Sequence, residues 1–236
     1  MPSSSLSGAE PTPAPSSASD DRLPLARGAD RLRLLYTLPL RREPSTTLLV
    51  GSAGDAACRE LRSGWPGTVA VSESWQLMRA ATALGRPRYD AVLLPGVLGV
   101  AGHAPAGQVS IAALALLRPG GTVVGHMPHL MSVHGLRRGR VWRPGSDWAT
   151  PGRVARSLLC AGFIDAECFL IEPHAASPMA LVPSARKAAG RHFVLAVRRT
   201  RNQHGRLGYG LRLLAARCGL GGLLQPDLFF WAHAPC

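Results

Sequence analysis

The chain is poor in acidic residues and contains one lysine, Lys187. Its 236 residues include 14 aspartates and glutamates against 27 lysines and arginines, a formal net charge of +13. Such a surplus occurs in proteins that bind nucleic acids or acidic membranes. The arginines are spread along the chain, however, and alanine, glycine and proline are also abundant. This spread favours a compositional bias, as in a chain coded by GC-rich DNA, over a dedicated nucleic-acid surface.

Long apolar runs and paired cysteines are also lacking. The longest apolar run, residues 111–117, is far shorter than the roughly 18 residues that cross a bilayer, and the N-terminus has no basic segment followed by an apolar core. The five cysteines form no CxxC pair, which indicates reduced thiols and argues against structural zinc. We therefore expect a cytoplasmic protein with no membrane partner.

Composition divides the chain near residue 45. Residues 1–44 are rich in serine, proline and alanine, and we expect a disordered or loosely attached extension in which residues 31–40 form a short helix or strand. Residues 45–236 alternate strand patterns with helix patterns, which predicts an α/β domain with a mostly parallel sheet covered on both faces. Ligands of such sheets bind at the carboxyl ends of the strands, where the strand order reverses.

The individual elements follow from apolar spacing and from turn residues. Strands are predicted at residues 46–50, 68–71, 89–94, 122–125, 164–171 and 227–232, and helices at 57–64, 75–84, 109–117, 151–162, 184–199 and 207–218. Thr150 and Pro151 mark one helix start, because threonine caps a helix and proline fits its first position.

Four segments resemble class I S-adenosylmethionine-dependent methyltransferases of the type 11/12-like group. They are a glycine-rich first motif at 48–55, an aromatic-Asp-hydrophobic strand entry at 88–95, a Leu-Arg-Pro-Gly-Gly turn at 117–121 and a helix ending in Ala-Gly-Phe at 150–163. The resemblance runs from about residue 45 to the C-terminus. It implies a Rossmann-like doubly wound sheet with an antiparallel C-terminal edge strand. It also implies S-adenosylmethionine as cofactor and methyl transfer to a small-molecule or peptide acceptor.

The same resemblance implies a set of cofactor-binding residues: Gly51, Ser52, Ala53, Gly54, Asp55, Ser72, Glu73, Leu94 and Pro95. A glycine-rich turn lets the backbone approach a ligand closely. The family's ribose-binding acid falls on Ser72, with Glu73 one residue later. The family's second and third glycines fall on Ala53 and Asp55. Only about one helix fits between the second and third predicted strands, so the family's third strand and its adenine-contacting acid are predicted to be missing.

His126 and His129 are the predicted proton acceptors, because they follow a strand on the ligand-binding side and histidine titrates near neutral pH. The alternative for either is a loop histidine bonded to backbone or water. No carboxylate or cysteine joins His126, His129 and His134 in a ligand set, so no metal is predicted. The Asn/Asp-Pro-Pro-aromatic signature of adenine-amine methylation is absent, which favours a small-molecule or peptide acceptor.

Two other functions stay open. The departures from the family pattern are compatible with a catalytically inactive methyltransferase-like accessory or scaffold protein. The positive charge, with Trp142 and Trp148 among arginines at residues 137–143, is compatible with an RNA-binding or RNA-modifying protein. Cofactor binding distinguishes the inactive scaffold from the enzyme. The salt dependence of RNA affinity tests the hypothesis of an RNA-binding protein.

Overall fold

Seven strands and six α-helices make up the described part of the chain. The computed structural model describes residues 28–51, 56–65, 67–72, 87–95, 106–129, 150–172, 175, 178–199, 206–218, 220–225 and 227–236. The strands are β1 Thr46–Val50, β2 Thr68–Ser72, β3 Tyr89–Pro95, β4 Leu117–Pro128, β5 Ile164–Glu172, β6 Ala180–Pro183 and β7 Asp227–His233. The helices are α1 Gly28–Thr37, α2 Ala56–Gly64, α3 Ala106–Leu116, α4 Pro151–Cys160, α5 Arg186–Arg199 and α6 Arg206–Arg217, with a 3-10 helix at Gly221–Leu224.

The strands form one sheet in the order β2-β1-β3-β4-β7-β5-β6. Strands β1 to β4 pair in parallel, β7 is antiparallel to both β4 and β5, and β6 is antiparallel to β5. The chain passes from β1 outward to β2 and then returns to the other side of β1 to form β3. This reversal of strand order is the mark of a Rossmann-like doubly wound α/β fold, which confirms the predicted fold class.

The inner parallel strands β1 and β3 are buried on both faces of the sheet. Successive residues of β1 belong to different apolar clusters: Leu48 and Val50 pack in the cluster that includes residues of α3, α4 and α5, whereas Leu49 packs in the cluster that includes residues of α1 and α2. Alternation follows from the two-residue period of a strand. Helices on both faces explain why these strands read as continuous apolar runs rather than as alternating patterns.

The C-terminal strand β7 is antiparallel, as expected, but its predicted position at the sheet edge was wrong. It pairs with β4 on one side and with β5 on the other. Leu228, Phe229 and Phe230 are all buried, so consecutive side chains on both faces are apolar, as an inner strand requires. The outer strand on this side is β6, which the sequence analysis missed because it has only four residues.

On the opposite side, β2 is the outermost strand within the described part of the chain. Residues 73–86, which include the predicted helix 75–84, lie outside the described residues. The predicted start of α4 is confirmed, since the Thr150 side chain accepts a hydrogen bond from the Arg153 backbone N–H and Pro151 opens the helix.

Residues 31–40, for which a helix or a strand was expected, contribute most of α1. Three α1 side chains, Leu32, Leu35 and Tyr36, are buried in the cluster shared with α2. The expected boundary at residue 45 therefore follows a helix that contributes to the core. None of the helices in the described ranges combines the length and apolarity needed to cross a membrane.

Candidate functional site

The candidate site lies at the end of the sheet where β1 to β4 finish, which we call the carboxyl edge. Gly51, which is buried, follows β1 directly, and the buried residues Leu94 and Pro95 end β3. Leu49 pairs with Leu93, and Pro95 pairs with His126. Gly51, Pro95 and His126 therefore follow one another across three neighbouring strands, beside the point where the strand order reverses.

The remaining predicted cofactor residues are placed only in part. Ser72 ends β2 and is in register with Val50, so it too lies at the carboxyl edge. Ser52, Ala53, Gly54, Asp55 and Glu73 lie outside the described residues. Gly51, Leu94 and Pro95 are all buried at this edge.

His126 forms a hydrogen bond with a buried tyrosine that the sequence analysis did not select. The Tyr36 hydroxyl lies 2.6 Å from His126 Nδ1, and the two rings meet edge to face at 5.9 Å. Tyr36 is fully buried, and Phe229 contacts its ring in the same way at 5.7 Å. Packing on α1 and β7 thus fixes the position of the hydroxyl that orients His126.

This hydrogen bond sets what His126 can do chemically. When Nδ1 carries the proton, it donates to the Tyr36 oxygen, and Nε2 holds the lone pair of the neutral ring. When Tyr36 donates instead, Nε2 carries the proton. The first arrangement makes His126 a base through Nε2, and the half-buried ring has partial access to solvent.

His129, the other predicted proton acceptor, has different surroundings. It is buried, and its Nδ1–H donates to the Gln225 carbonyl at 3.2 Å. Burial lowers the pKa of His129 below its ordinary value of 6.5, and contacts with the Gln225 and Gly222 backbone and the charge of Asp227 offset that effect only in part. These contacts favour a neutral ring that fixes the end of β4 to the segment before β7.

The opposite end of the parallel strands, which we call the amino edge, is organised around Asp90. The Asp90 carboxylate accepts hydrogen bonds from the Ser45 N–H and hydroxyl at 3.0 and 2.6 Å and from the Thr46 N–H at 3.0 Å. Arg118 Nη1 lies 3.1 Å from its other oxygen. Burial alone would raise the pKa of Asp90, but the hydrogen bonds from Ser45, Thr46 and Arg118 together hold it well below its usual range.

Two of the segments that resemble methyltransferases meet at this amino edge. Asp90 belongs to the strand-entry motif and Arg118 to the Leu-Arg-Pro-Gly-Gly turn, in which Gly120 has a φ of +71°. A left-handed φ favours glycine because it has no Cβ. A groove of about 260 Å³ lies beside this turn, with Arg41, Arg42 and Thr122 in its lining. These motifs join β1, β3 and β4 at the end opposite to Gly51.

Within the described ranges, no group of three histidine, cysteine, aspartate or glutamate side chains is arranged to hold a metal ion.

Comparison with known proteins gives structural likeness without sequence likeness. No protein-family model matches the sequence, and curated protein sequences give no significant match. An S-adenosylmethionine-dependent methyltransferase from Archaeoglobus fulgidus superposes with a TM-score of 0.51 at 13% identity, over 87% of this chain and 92% of that one.

A second solved structure is phosphoethanolamine N-methyltransferase 2 from Haemonchus contortus, in complex with phosphomonomethylethanolamine and S-adenosylhomocysteine. It has a TM-score of 0.50 and 13% identity over 87% of this chain. The chain spans about half of the Haemonchus enzyme, 53% of its length. The protein therefore has the fold of class I S-adenosylmethionine-dependent methyltransferases.

Proposed function

We propose that this protein transfers a methyl group from S-adenosylmethionine to a small-molecule or peptide acceptor. The observation that carries the proposal is the position of Gly51 and Pro95. Gly51 follows β1 and Pro95 ends β3, and these two strands are neighbours at the reversal of strand order, where doubly wound folds bind their ligands. Both solved structures described above are methyltransferases, and the Haemonchus enzyme holds S-adenosylhomocysteine.

The cofactor would be held by residues of the carboxyl edge. The turn that begins at Gly51 and continues through residues 52–55 would approach it with backbone groups. Ser72 and Glu73 would receive the ribose hydroxyls, and Leu94 and Pro95 would form the apolar wall. This assignment rests on the family resemblance together with the placement of Gly51, Ser72, Leu94 and Pro95 at one edge.

Bound S-adenosylmethionine supplies a methyl group on a positively charged sulfur. Transfer to a hydroxyl or amine requires the acceptor to be held in line and to lose a proton. We assign that proton to His126 Nε2, with the Nδ1–H donating to Tyr36 so that the ring stays oriented. His126 is preferred to His129 because the His129 ring is buried and bonded to Gln225.

The acceptor class follows from what stands after β3. Leu94-Pro95-Gly96-Val97 occupies the place of the Asn/Asp-Pro-Pro-aromatic signature found in enzymes that methylate adenine amines. Without the polar side chain of that signature, an exocyclic base amine has no evident partner there. A small-molecule or peptide acceptor is therefore favoured.

Calorimetry with S-adenosylmethionine and S-adenosylhomocysteine tests the cofactor site directly. We expect micromolar binding that weakens about tenfold or more in Glu73→Ala, because a hydrogen bond to a charged group contributes roughly 1.5–3 kcal/mol. Glu167→Ala is the matched control, since Glu167 is an exposed acid on β5, and its affinity should equal that of the natural chain.

A folded protein that takes up neither ligand at millimolar concentration would contradict the proposal. It would support the alternative of a catalytically inactive, methyltransferase-like scaffold. Equal weakening by both glutamate substitutions would reject Glu73 as the ribose-binding acid.

A further inference from the structure

The positive charge of the chain is concentrated in one segment. Between Glu172 and Asp227 there are nine basic residues and no acidic residue, so this segment carries nine of the thirteen net positive charges. It contains α5, α6 and the 3-10 helix. The charge is therefore less evenly distributed than the spread of arginines over the whole sequence indicates.

Helix α5 turns one side to the core and presents the other to solvent. Its inward side chains Ala189, Phe193 and Val197 are buried. The opposite side carries one exposed leucine among exposed arginines: Leu195 with Arg191, Arg198 and Arg199. The spacing of these residues places them together on the outward half of the helix.

Helix α6 repeats this arrangement beside α5. Leu211 and Leu214 are one turn apart and retain 60% and 59% exposure, while Ala216 on the other side is buried. Arg217 at the end of α6 is exposed. The two helices are close neighbours, since a Cβ added at Gly190 of α5 would lie 3.8 Å from the Ala216 carbonyl oxygen of α6. We define Arg191, Leu195, Arg198, Arg199, Leu211, Leu214 and Arg217 as the outward face of the α5–α6 pair.

We propose that the outward face of the α5–α6 pair docks on an anionic membrane surface. The leucines enter the boundary between headgroups and acyl chains, and the arginines bind lipid phosphates, while their aliphatic stems lie along the same boundary. Each basic residue close to such a surface favours binding. The helices lie on the membrane and do not cross it, which agrees with their length. This proposal departs from the expectation of no membrane partner, which rested on the lack of an apolar run long enough to cross a bilayer and does not bear on surface docking.

The exposed leucines favour a lipid surface over a nucleic acid as the partner of the outward face. A protein that binds RNA through charge contacts phosphates with arginine and stacks aromatic rings on bases. The exposed apolar residues of the outward face, Leu195, Leu211 and Leu214, are instead aliphatic. Aliphatic side chains lose their contact with water in a lipid boundary and gain little from a phosphate backbone.

Flotation of the full chain with unilamellar vesicles tests this proposal. We expect binding roughly tenfold or more stronger to phosphatidylcholine vesicles with about 30 mol % phosphatidylglycerol than to pure phosphatidylcholine. The double variant Leu211→Gln/Leu214→Gln should lose binding at low salt. Arg198→Gln/Arg199→Gln should reduce the preference for the anionic vesicles.

Matched controls lie elsewhere on the surface. Ile111→Gln/Leu159→Gln replaces side chains of similar exposure, 58% and 53%, on α3 and α4. Arg59→Gln/Arg62→Gln removes two exposed arginines from α2. Both should bind vesicles like the natural chain, and circular dichroism and thermal unfolding confirm that each variant is folded.

Three results would overturn the proposal. They are absence of binding to the anionic vesicles, equal loss in the control variants, and full binding by the Leu211→Gln/Leu214→Gln variant. Binding to RNA that falls with the arginine substitutions but not with the leucine substitutions, in a protein that leaves vesicles untouched, would assign the outward face to nucleic acid.

Discussion

The two edges of the sheet use polar side chains in different ways. At the amino edge, Asp90 is surrounded by Ser45, Thr46 and Arg118 and holds three strands together. At the carboxyl edge, a hydrogen bond with the buried Tyr36 orients the ring of His126. The strand-entry and Leu-Arg-Pro-Gly-Gly motifs therefore stabilise the fold. The proposed methyl transfer depends instead on residues at the opposite end of the strands. A sequence can therefore keep the two amino-edge motifs even when the residues of the carboxyl edge have changed.

The largest expected effect is a loss of catalytic rate when a residue of the carboxyl edge is substituted. In an assay of labelled methyl transfer, with an acceptor found by screening, His126→Ala should lower kcat by about 10²–10⁴, the usual contribution of a positioned base. Cofactor affinity should be unchanged. Tyr36→Phe should lower kcat less and alter its pH profile, because the ring loses the oxygen that selects its tautomer. An unchanged rate in His126→Ala would remove this residue from the chemistry.

The next largest effect is a loss of folding stability when Asp90, at the amino edge, is substituted. Asp90→Asn keeps the shape of the side chain but places an amide among N–H and hydroxyl donors, so we expect a loss of about 2–4 kcal/mol in the free energy of unfolding at neutral pH. Asp165→Asn is the control, since Asp165 is exposed and forms an ion pair with the exposed Arg41 at 3.3 Å. This substitution should cost less than about 1 kcal/mol.

The Asp90 effect has a defined pH dependence. The folded-state pKa lies below the ordinary value of 3.8, so the contribution is complete above that value and declines as the pH falls through the folded-state pKa. The difference between Asp90→Asn and the natural chain in urea unfolding should therefore narrow below about pH 4. A difference that stays constant into strong acid would contradict the charged hydrogen-bond network.

The smallest expected effect concerns cysteine labelling. Cys236 is exposed at the amino edge, where a Cβ added at Gly120 would lie 3.9 Å from its Sγ. Saturating S-adenosylhomocysteine should leave its rate of alkylation unchanged, as read by mass spectrometry. Cys168 is an internal slow reference, because burial, ahead of the charge of Glu167, raises the pKa of its thiol to about 12. Protection of Cys236 from alkylation would indicate that the ligand binds in the groove beside Gly120. The amino edge, and not the carboxyl edge, would then be the ligand site.

The sequence predicted the elements whose signals are local. The end of β1 before Gly51, the Thr150–Pro151 helix start and the strands near the two motifs depend on neighbouring residues. The Tyr36–His126 bond could not be predicted in this way, because its partners are 90 residues apart and Tyr36 lies before the expected domain boundary. The helical spacing of Leu32, Leu35 and Tyr36, which the structure shows to be buried, is a local signal for α1.

The position of β7 within the sheet could likewise not be predicted from its local sequence pattern. Its run of buried apolar residues shows that both faces are covered, but pairing partners at residues 122–128 and 164–171 are set by the whole topology. Of the candidate site, the sequence predicted which strand ends meet, and the orienting partner of His126 and the buried contact of His129 needed the structure.

The inner position of β7 imposes an order on assembly during synthesis. Strands β1 to β4 can pair as soon as each leaves the ribosome, but β5 and β6 have no place in the sheet until β7, which is made later, is available to join them to β4. Until then both β4 and β5 present an open edge with unpaired backbone groups, a template for pairing with other chains. A nascent chain stalled before residue 227 should therefore depend on chaperones more than its size alone would require.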